Sequence, residues 1–453
     1  MSVRILLLFL VITLTFYGCR KADQLSANKA FQLRLSETKV TFDTLFTTTI
    51  STLHRVTLYN DQANALEISS LRLKGSAGSV YSFSAGGKPG PLLSQLKLAG
   101  KDSIVLYIKA QIPADRRISP FVESDSILIT TNGNHQGIAL TSYGQNANMI
   151  SDTLIQADTH WNAIYPYVLA HTLTVGPGAT LRLDAGTQVY FHGLSGLHIK
   201  GTLLVNGQLG FPVTFQSDRL EPAYSTLPGQ WEGITISPGS TGNTVNYATI
   251  FNAGTGIAMS GFPGQGPAVQ AVITNTMIGN MSFDGIYCQN SAVRLLNDLI
   301  FYCQNSLLDV LGDSYLQAKQ NTFYNSNQFF FHTLPAVNLA LTGETDSVAF
   351  LNNLVFGTLT NELAITGKGH IALSGNFITA SAPVSAGYPG NVFGADPKFV
   401  SPANYDFHLQ GTSSPAHQKG ITLAADPDFS VLSLDLDGIS RKNPPTVGAY
   451  EVN

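Results

Sequence analysis

Four carboxylates and two cations in one stretch of the chain are the residues best suited to chemistry: Asp284, Asp298, Asp309 and Asp313, with Arg294 and Lys319. Two reactions on a glycan use such a set. A hydrolase needs carboxyl groups facing each other across the scissile bond, one of them protonated. A lyase needs carboxylates to hold a cation, and a Lys or Arg to take the proton beside a uronate. The spacing supports neither strongly. Asp298 follows Asn297 and Asp313 follows Gly312, positions where Asp suits a turn. Counted from Asn297 and Asn321, Arg294 lies three residues back and Lys319 two, so on pleated strands they point to opposite faces and form no basic row.

Other side chains suggest binding rather than turnover. Trp231, Tyr287, Tyr302 and Tyr324 offer ring faces on which a sugar could stack. Strand alternation sends about half of such rings inward. Asp435-Leu-Asp437 sets two carboxylates on one face, where Ca²⁺ is conceivable, but turn organisation accounts for them and no metal or other cofactor is expected. His160, His171, His192 and His198 are too dispersed for a zinc site. Cys288 and Cys303 occupy near-identical settings, Tyr-Cys-Gln-Asn-Ser, and read as buried, unreactive thiols.

What must position these groups is legible in the composition. Only 12% of the 453 residues are charged, against a usual quarter, and Gly stands at 42. That excludes a disordered chain and a charge-laced coiled coil. Residues 1–148 carry 15 Lys/Arg against 9 Asp/Glu, and residues 149–453 carry 10 against 20. The acidic longer part argues against nucleic-acid binding.

Residues 149–453 show very short β-branched or aromatic segments separated by Gly, Asn, Ser and Asp. The blocks beginning at Asn275, Asn297, Asn321, Asn353 and Asn376 recur at intervals of 22, 24, 32 and 23 residues. One inserted loop near Leu334 to Asp346 accounts for the long interval. A period of about 23 suits one turn of a parallel β-solenoid with three short strands. Asn tolerates the left-handed backbone of a tight corner, and stacked coils set equivalent amides about 4.8 Å apart in a ladder.

Residues 33–148 read differently. Val56–Tyr59, Leu66–Leu73, Ser103–Lys109 and Ser126–Thr131 alternate in period two, and Asn132-Gly133 signals a hairpin. The pattern predicts an antiparallel β-sandwich, and Val-Thr-Phe-Asp43, Leu-Tyr-Asn-Asp61 and Leu-Thr-Ser-Tyr-Gly144 resemble immunoglobulin-like modules of bacterial surface proteins. Ahead of it, Arg4, the apolar run Ile5 to Tyr17 and Gly18-Cys19 resemble the signal peptide and lipobox of bacterial lipoproteins. The resemblance implies cleavage after residue 18, lipidation of Cys19, a tether over residues 19–32, and anchoring in the outer membrane.

The solenoid itself carries a family likeness. Gly186-Thr-Gln-Val-Tyr-Phe191, Gly201-Thr-Leu-Leu-Val-Asn-Gly207, Pro212-Val-Thr-Phe215 and Gly229-Gln-Trp-Glu-Gly-Ile234 resemble right-handed parallel β-helix repeat proteins of the pectate-lyase-like kind. In that family the Gly-x-Trp-x-Gly-Ile block restarts the coil after a loop, here Asp218 to Pro228. Asp396-Pro-Lys-Phe399, Tyr405–Leu409, Ser414-Pro415, Asp435–Gly438 and Val447–Glu451 are similar to its closing coil, although His417 replaces the usual acidic residue. The resemblance implies an all-β chain, a sandwich followed by a right-handed β-helix, acting as a surface scaffold or glycan-binding module. The competing expectation is a polysaccharide lyase or glycoside hydrolase working in the helix groove.

Overall fold

A computed structural model describes residues 24–115, 117–118, 120–261, 269–327, 331–380 and 390–452. Cys19 and the apolar run before it lie outside these residues, as do Phe329 and Phe330. The chain divides into two compact units at Asn146/Ala147. Among the described residues no helix is long and apolar enough to cross a membrane.

The first unit is a sandwich of two five-stranded sheets. One holds Arg34–Leu35, His54–Tyr59, Ser103–Ala110, Tyr81–Ala85 and Lys88–Pro89; the other holds Lys39–Phe46, Asn134–Gln145, Phe121–Thr131, Leu66–Leu73 and Leu92–Leu98. Alternation decides the packing: Val56, Leu58, Ile68, Leu71, Leu106, Ile108, Ile127 and Ile129 turn inward and are buried. Asn132 and Gly133, at φ 52° and 79°, form the tight hairpin that their positive φ permits. Lys39–Phe46 runs parallel to Asn134–Gln145 with a bulge at Asp43. Part of the segment read as a tether is docked, because Leu25 bridges Ala65 and Asn134 donates to the carbonyl of Lys29.

The second unit is a parallel β-helix. Three sheets run along it: sheet I with eleven strands from Asn148–Ile150 to Val392–Phe393, sheet II with nine from Leu154–Ile155 to Leu363–Gly367, and sheet III with nine from Thr159–Trp161 to His370–Ser374. Every strand pair within them is parallel, and successive strands of the chain fall on sheets I, II and III in turn as far as Phe377–Ile378, after which Val392–Phe393 again joins sheet I. On sheet I, Ile278, Ile300, Phe323, Val355 and Ile378 are in register, one per coil. They stack inward with their neighbours into one buried column. No coil could bury this face alone, so the stacking itself supplies the driving force.

The asparagine pattern resolves into two ladders one residue apart. The corners with left-handed backbone are Asn275, Asn297, Gln320, Asn352 and Gly375, at φ of 51°, 64°, 58°, 55° and 69°. The next position holds Thr276, Asp298, Asn321, Asn353 and Asn376. There Asn321 Nδ2 donates to Asn353 Oδ1 at 2.9 Å, Asn353 Nδ2 to Asn376 Oδ1 at 3.2 Å, and Asn376 Nδ2 to Asn391 Oδ1 at 2.8 Å. The blocks led by Asn297 and Asn321 are therefore offset by one residue.

Residues 396–452 are not another turn of coil. The hairpin of Phe399–Ser401 and Asp406–Leu409 lies on the outer face of sheet I, where Phe301, Tyr302, Tyr324 and Phe356 project. Phe407 packs on Phe301 and Tyr324 with centroids at 4.7 and 5.1 Å. The chain then runs back along the corner between sheets III and I. Ile421 pairs with Asn352, Asp426 with Lys319, and Leu434 with Asn297, while Gly438 abuts Leu209. This strap covers an aromatic stripe that solvent would otherwise meet.

His408 pins the strap. Its Nδ1 meets Asp406 at 2.7 Å, its Nε2 meets Asp437 at 2.8 Å, and its ring lies 4.1 Å from that of Tyr450. Asp437, then Asp406, raises its pKa to about 9 against the desolvation that opposes them. A raised folded-state value means the contribution is complete below about pH 6.5, where the unfolded chain is also protonated, and is lost as pH rises through about 9. His408→Gln should therefore lower the melting temperature most at mildly acidic pH. The gap to the parent chain should close above pH 9; a pH-independent gap would assign the residue to packing alone.

Candidate functional site

The sequence candidates separate once folded. Lys319 is 4% exposed and ion-paired to Asp426 at 2.8 Å and Asp428 at 2.9 Å. Arg294 reaches the other oxygen of Asp428. Both cations thus hold the strap and neither is a free base. They also meet at one carboxylate, contrary to the opposite faces expected. The one-residue offset explains this: Lys319 is in register with Leu296, two residues and hence one full pleat from Arg294. Asp298 is fully buried in the ladder; its Oδ1 accepts from the Thr276 amide at 2.9 Å and its Oδ2 has no hydrogen-bond partner. Asp313 caps a turn after Gly312, accepting from Thr342 at 2.8 Å while its amide donates to Asn290.

Three of the four aromatic candidates are likewise structural. Trp231 is fully buried, stacked on Phe191 at 4.0 Å, with Nε1 donating to the carbonyl of Phe251 at 2.8 Å. The following Gly233 sits at φ 121°, with the Thr255 carbonyl where a Cβ would be. That close approach explains the Gly-x-Trp-x-Gly block. Tyr302 and Tyr324 lie under the strap, and Tyr302 donates to the carbonyl of Pro402 at 2.9 Å. Cys288 and Cys303 are buried free thiols whose pKa values burial pushes up, so they are poor nucleophiles.

The outward face of sheet II is what remains. One row across it, in register, reads Thr174, His198, Thr235, Ala258, Tyr287, Asp309, Asn338 and Ala364. Alternation places them there, since Cys288, Val310 and Leu339 turn inward beside Tyr287, Asp309 and Asn338. Tyr287 is half-buried and has the small Ala258 on one side and Asp309 on the other. Asn338 donates to Asp309 at 2.8 Å.

Asp284 joins this group from the corner before the strand Ile286–Gln289. Its Oδ1 accepts from the Ser306 amide at 3.0 Å. Burial, with a smaller push from Asp309, raises its pKa to about 6. Burial also raises Asp309, where the bond from Asn338 opposes it, and raises the Tyr287 phenol. The result is two carboxyl groups, both raised by burial, beside one ring and one amide. Asn338 was not legible as a site residue because the loop before it breaks the coil interval. Its position on the alternating strand Val337–Leu341 was the available signal.

The loop leading to that strand is held by Glu362. This fully buried carboxylate accepts from the amides of Leu359 at 2.7 Å and Ala336 at 3.0 Å, and meets His332 at 3.2 Å. Farther along the face, His198 meets Glu232 at 2.9 Å, and beyond the ends of two sheet I strands His192 meets Asp218 at 2.6 Å. Asp435 organises the strap turn, accepting from the amides of Asp437, Ile439 and Glu451. Among the described residues no group of three or more His, Cys, Asp or Glu is arranged to hold a metal ion.

No family model matches the chain, and no curated protein matches it. Among solved structures, the chain is similar to the catalytic unit of an α-1,3-glucanase of glycoside hydrolase family 87 from Streptomyces thermodiastaticus, at 10% identity over 75% of this chain and 90% of that one, with a TM-score of 0.23. A family 123 glycoside hydrolase from Clostridium perfringens aligns at 11% identity over 28% of this chain, spanning 26% of its own length, with a TM-score of 0.20. A PapD-like domain of human CEP192 aligns at 12% identity over 26% of this chain and 85% of that one, with a TM-score of 0.18. Scores this low carry no argument. The architecture rests on strand pairing, and the functional reading on the site.

Proposed function

We propose that the chain is a glycan-interaction module, taking an oligosaccharide along the outward face of sheet II around Tyr287. One observation carries the reading: of the four aromatic candidates, Tyr287 alone is left uncovered, and a carboxylate, Asp309, and then an amide, Asn338, follow it in register on the next two strands. An aromatic ring packs against the apolar face of a pyranose. Asp309 and Asn338, hydrogen-bonded to each other at 2.8 Å from strands about 4.8 Å apart, suit neighbouring hydroxyls. Such a face on a rigid solenoid needs no ordering on binding.

The second reading, hydrolysis on the same face, is favoured by Asp284 alone. A carboxyl with a pKa raised to about 6 is protonated often enough near neutral pH to serve as a general acid, with Asp309 as the second carboxyl group beside it. A panel of polysaccharides separates the two. Tyr287→Ala should weaken oligosaccharide binding at least about tenfold, a change of about 1.4 kcal/mol, with no reducing ends released by the parent chain. Release of reducing ends, falling as pH rises through about 6 and abolished by Asp284→Asn, would replace binding by catalysis.

Export and lipid anchoring belong to the same proposal and rest on the residues before Arg20. Two acyl chains on Cys19 would contribute about 0.8 kcal/mol per buried methylene, enough to hold the protein at a membrane. Cys19→Ala should abolish acyl labelling and shift the chain to the soluble fraction; unchanged labelling would remove the anchor.

A further inference from the structure

We infer that the face around Tyr287 takes glycans without acid groups and rejects polyuronates, an inference that rests on the glycan reading above. The chemistry of the two outward rows of sheet II carries it. The row through Tyr287 contains Asp309 and no Lys or Arg. The next outward row, Ser260, Gln289, Leu311, Ala340 and Thr366, is uncharged. Asp284 lies on the sheet I side of these rows, and Asp313 and Asp346 lie at the corner with sheet III.

A polyuronate presents one carboxylate per sugar and needs a cation to receive each. Arg294 and Lys319, the cations nearest in sequence, are spent on Asp428 and Asp426 at the strap. Arg219 is held by Glu221 at 3.1 Å, and Lys368 by Glu344 at 3.0 Å. Lys200 follows the strand Leu197–Ile199, which is three strands from Ile286–Gln289 and so about 14 Å away along the sheet. That exceeds the Debye length of about 8 Å at physiological salt. A uronate over Tyr287 would thus meet Asp309 at close range, with no unpaired Lys or Arg among the described residues within a Debye length along the sheet to offset it. A neutral sugar meets acceptors and an amide, which its hydroxyls satisfy. An amino sugar gains an ion pair as well.

The selectivity is of the repulsive kind, in which a like charge excludes the wrong ligand without strengthening the right one. Substituting Asp309 should therefore relax it. Asp309→Asn keeps the acceptor oxygen and the shape and removes only the charge.

The test measures binding of the full chain to neutral gluco-oligosaccharides, to chitosan oligosaccharides and to oligouronates of equal length, by titration calorimetry at low and at physiological salt. The expected order is amino sugar and neutral sugar at least about tenfold tighter than uronate, with uronate binding improving as salt rises. Asp309→Asn should narrow the gap severalfold, measured at a temperature where its melting curve shows the variant fully folded. Uronate binding as tight as neutral binding, or unchanged by Asp309→Asn, overturns the selectivity and leaves glycan binding standing. No binding in any arm overturns both.

Discussion

Lys319→Met is expected to lower the stability of the β-helix by about 3–5 kcal/mol, the range found when one partner of a buried ion pair is removed. The ammonium donates to both oxygens of Asp426, at 2.8 and 2.9 Å, and to Asp428 at 2.9 Å, in a site where Asp428 is 6% exposed. Methionine fills the stem's space but leaves Asp426 without its cation. Arg294 still meets Asp428 and cannot serve both. Much of the loss should be recovered in the double variant that adds Asp426→Asn, because the neutral amide no longer needs a buried positive charge while Asp428 keeps Arg294. Urea unfolding of the parent, single and double variants reads this directly. An unchanged midpoint for Lys319→Met would show that the strap is held by its aromatic hairpin instead.

Asp298→Asn is expected to have the opposite sign, a gain of about 1–3 kcal/mol at neutral pH, the cost of one unsatisfied buried polar group. Asp298 occupies the ladder position filled by Asn in the next three coils, and its amide donates to Asn321 Oδ1 at 2.8 Å. Burial drives its pKa well above the usual carboxylate range. The folded state thus favours the neutral acid. No penalty applies below about pH 3.9, where the unfolded chain is protonated too, and the penalty grows as pH rises from there to the folded value. Asparagine supplies a neutral group at every pH, so its advantage should vanish in acid. In the next coil, Asn321 Nδ2 donates to the carbonyl of Leu295. Leu295 is in register with Ile273, whose carbonyl is therefore the acceptor for the new amide. Thermal unfolding of both chains across pH is the measurement; destabilisation at neutral pH would mean that the charge at Asp298 is needed.

Little about the site was visible beforehand, and the reason lies in the repeat. The intervals between lead asparagines gave the coil length correctly, because Asn serves both the left-handed corner and the ladder beside it. That double use also hid a one-residue offset between Asn297 and Asn321. A single-residue error in a structure of period two inverts every side chain that follows it. This is why Arg294 and Lys319 were expected apart and are found together, and why Asp298 passed for a turn former.

The sequence by itself determined the all-β character, the sandwich and solenoid halves, and the existence of a coil of about 23 residues. Short apolar segments, turn residues and their spacing are local properties that only one architecture satisfies. The tertiary structure alone decided which aromatics are available. Tyr287, Tyr302 and Tyr324 stand on similar short strands, and nothing in their neighbourhoods of sequence tells them apart. Sheet I receives the strap from residues roughly a hundred positions later, and sheet II does not. Burial of an outward ring depends on that distant segment, so a site on this chain is wherever the strap fails to reach.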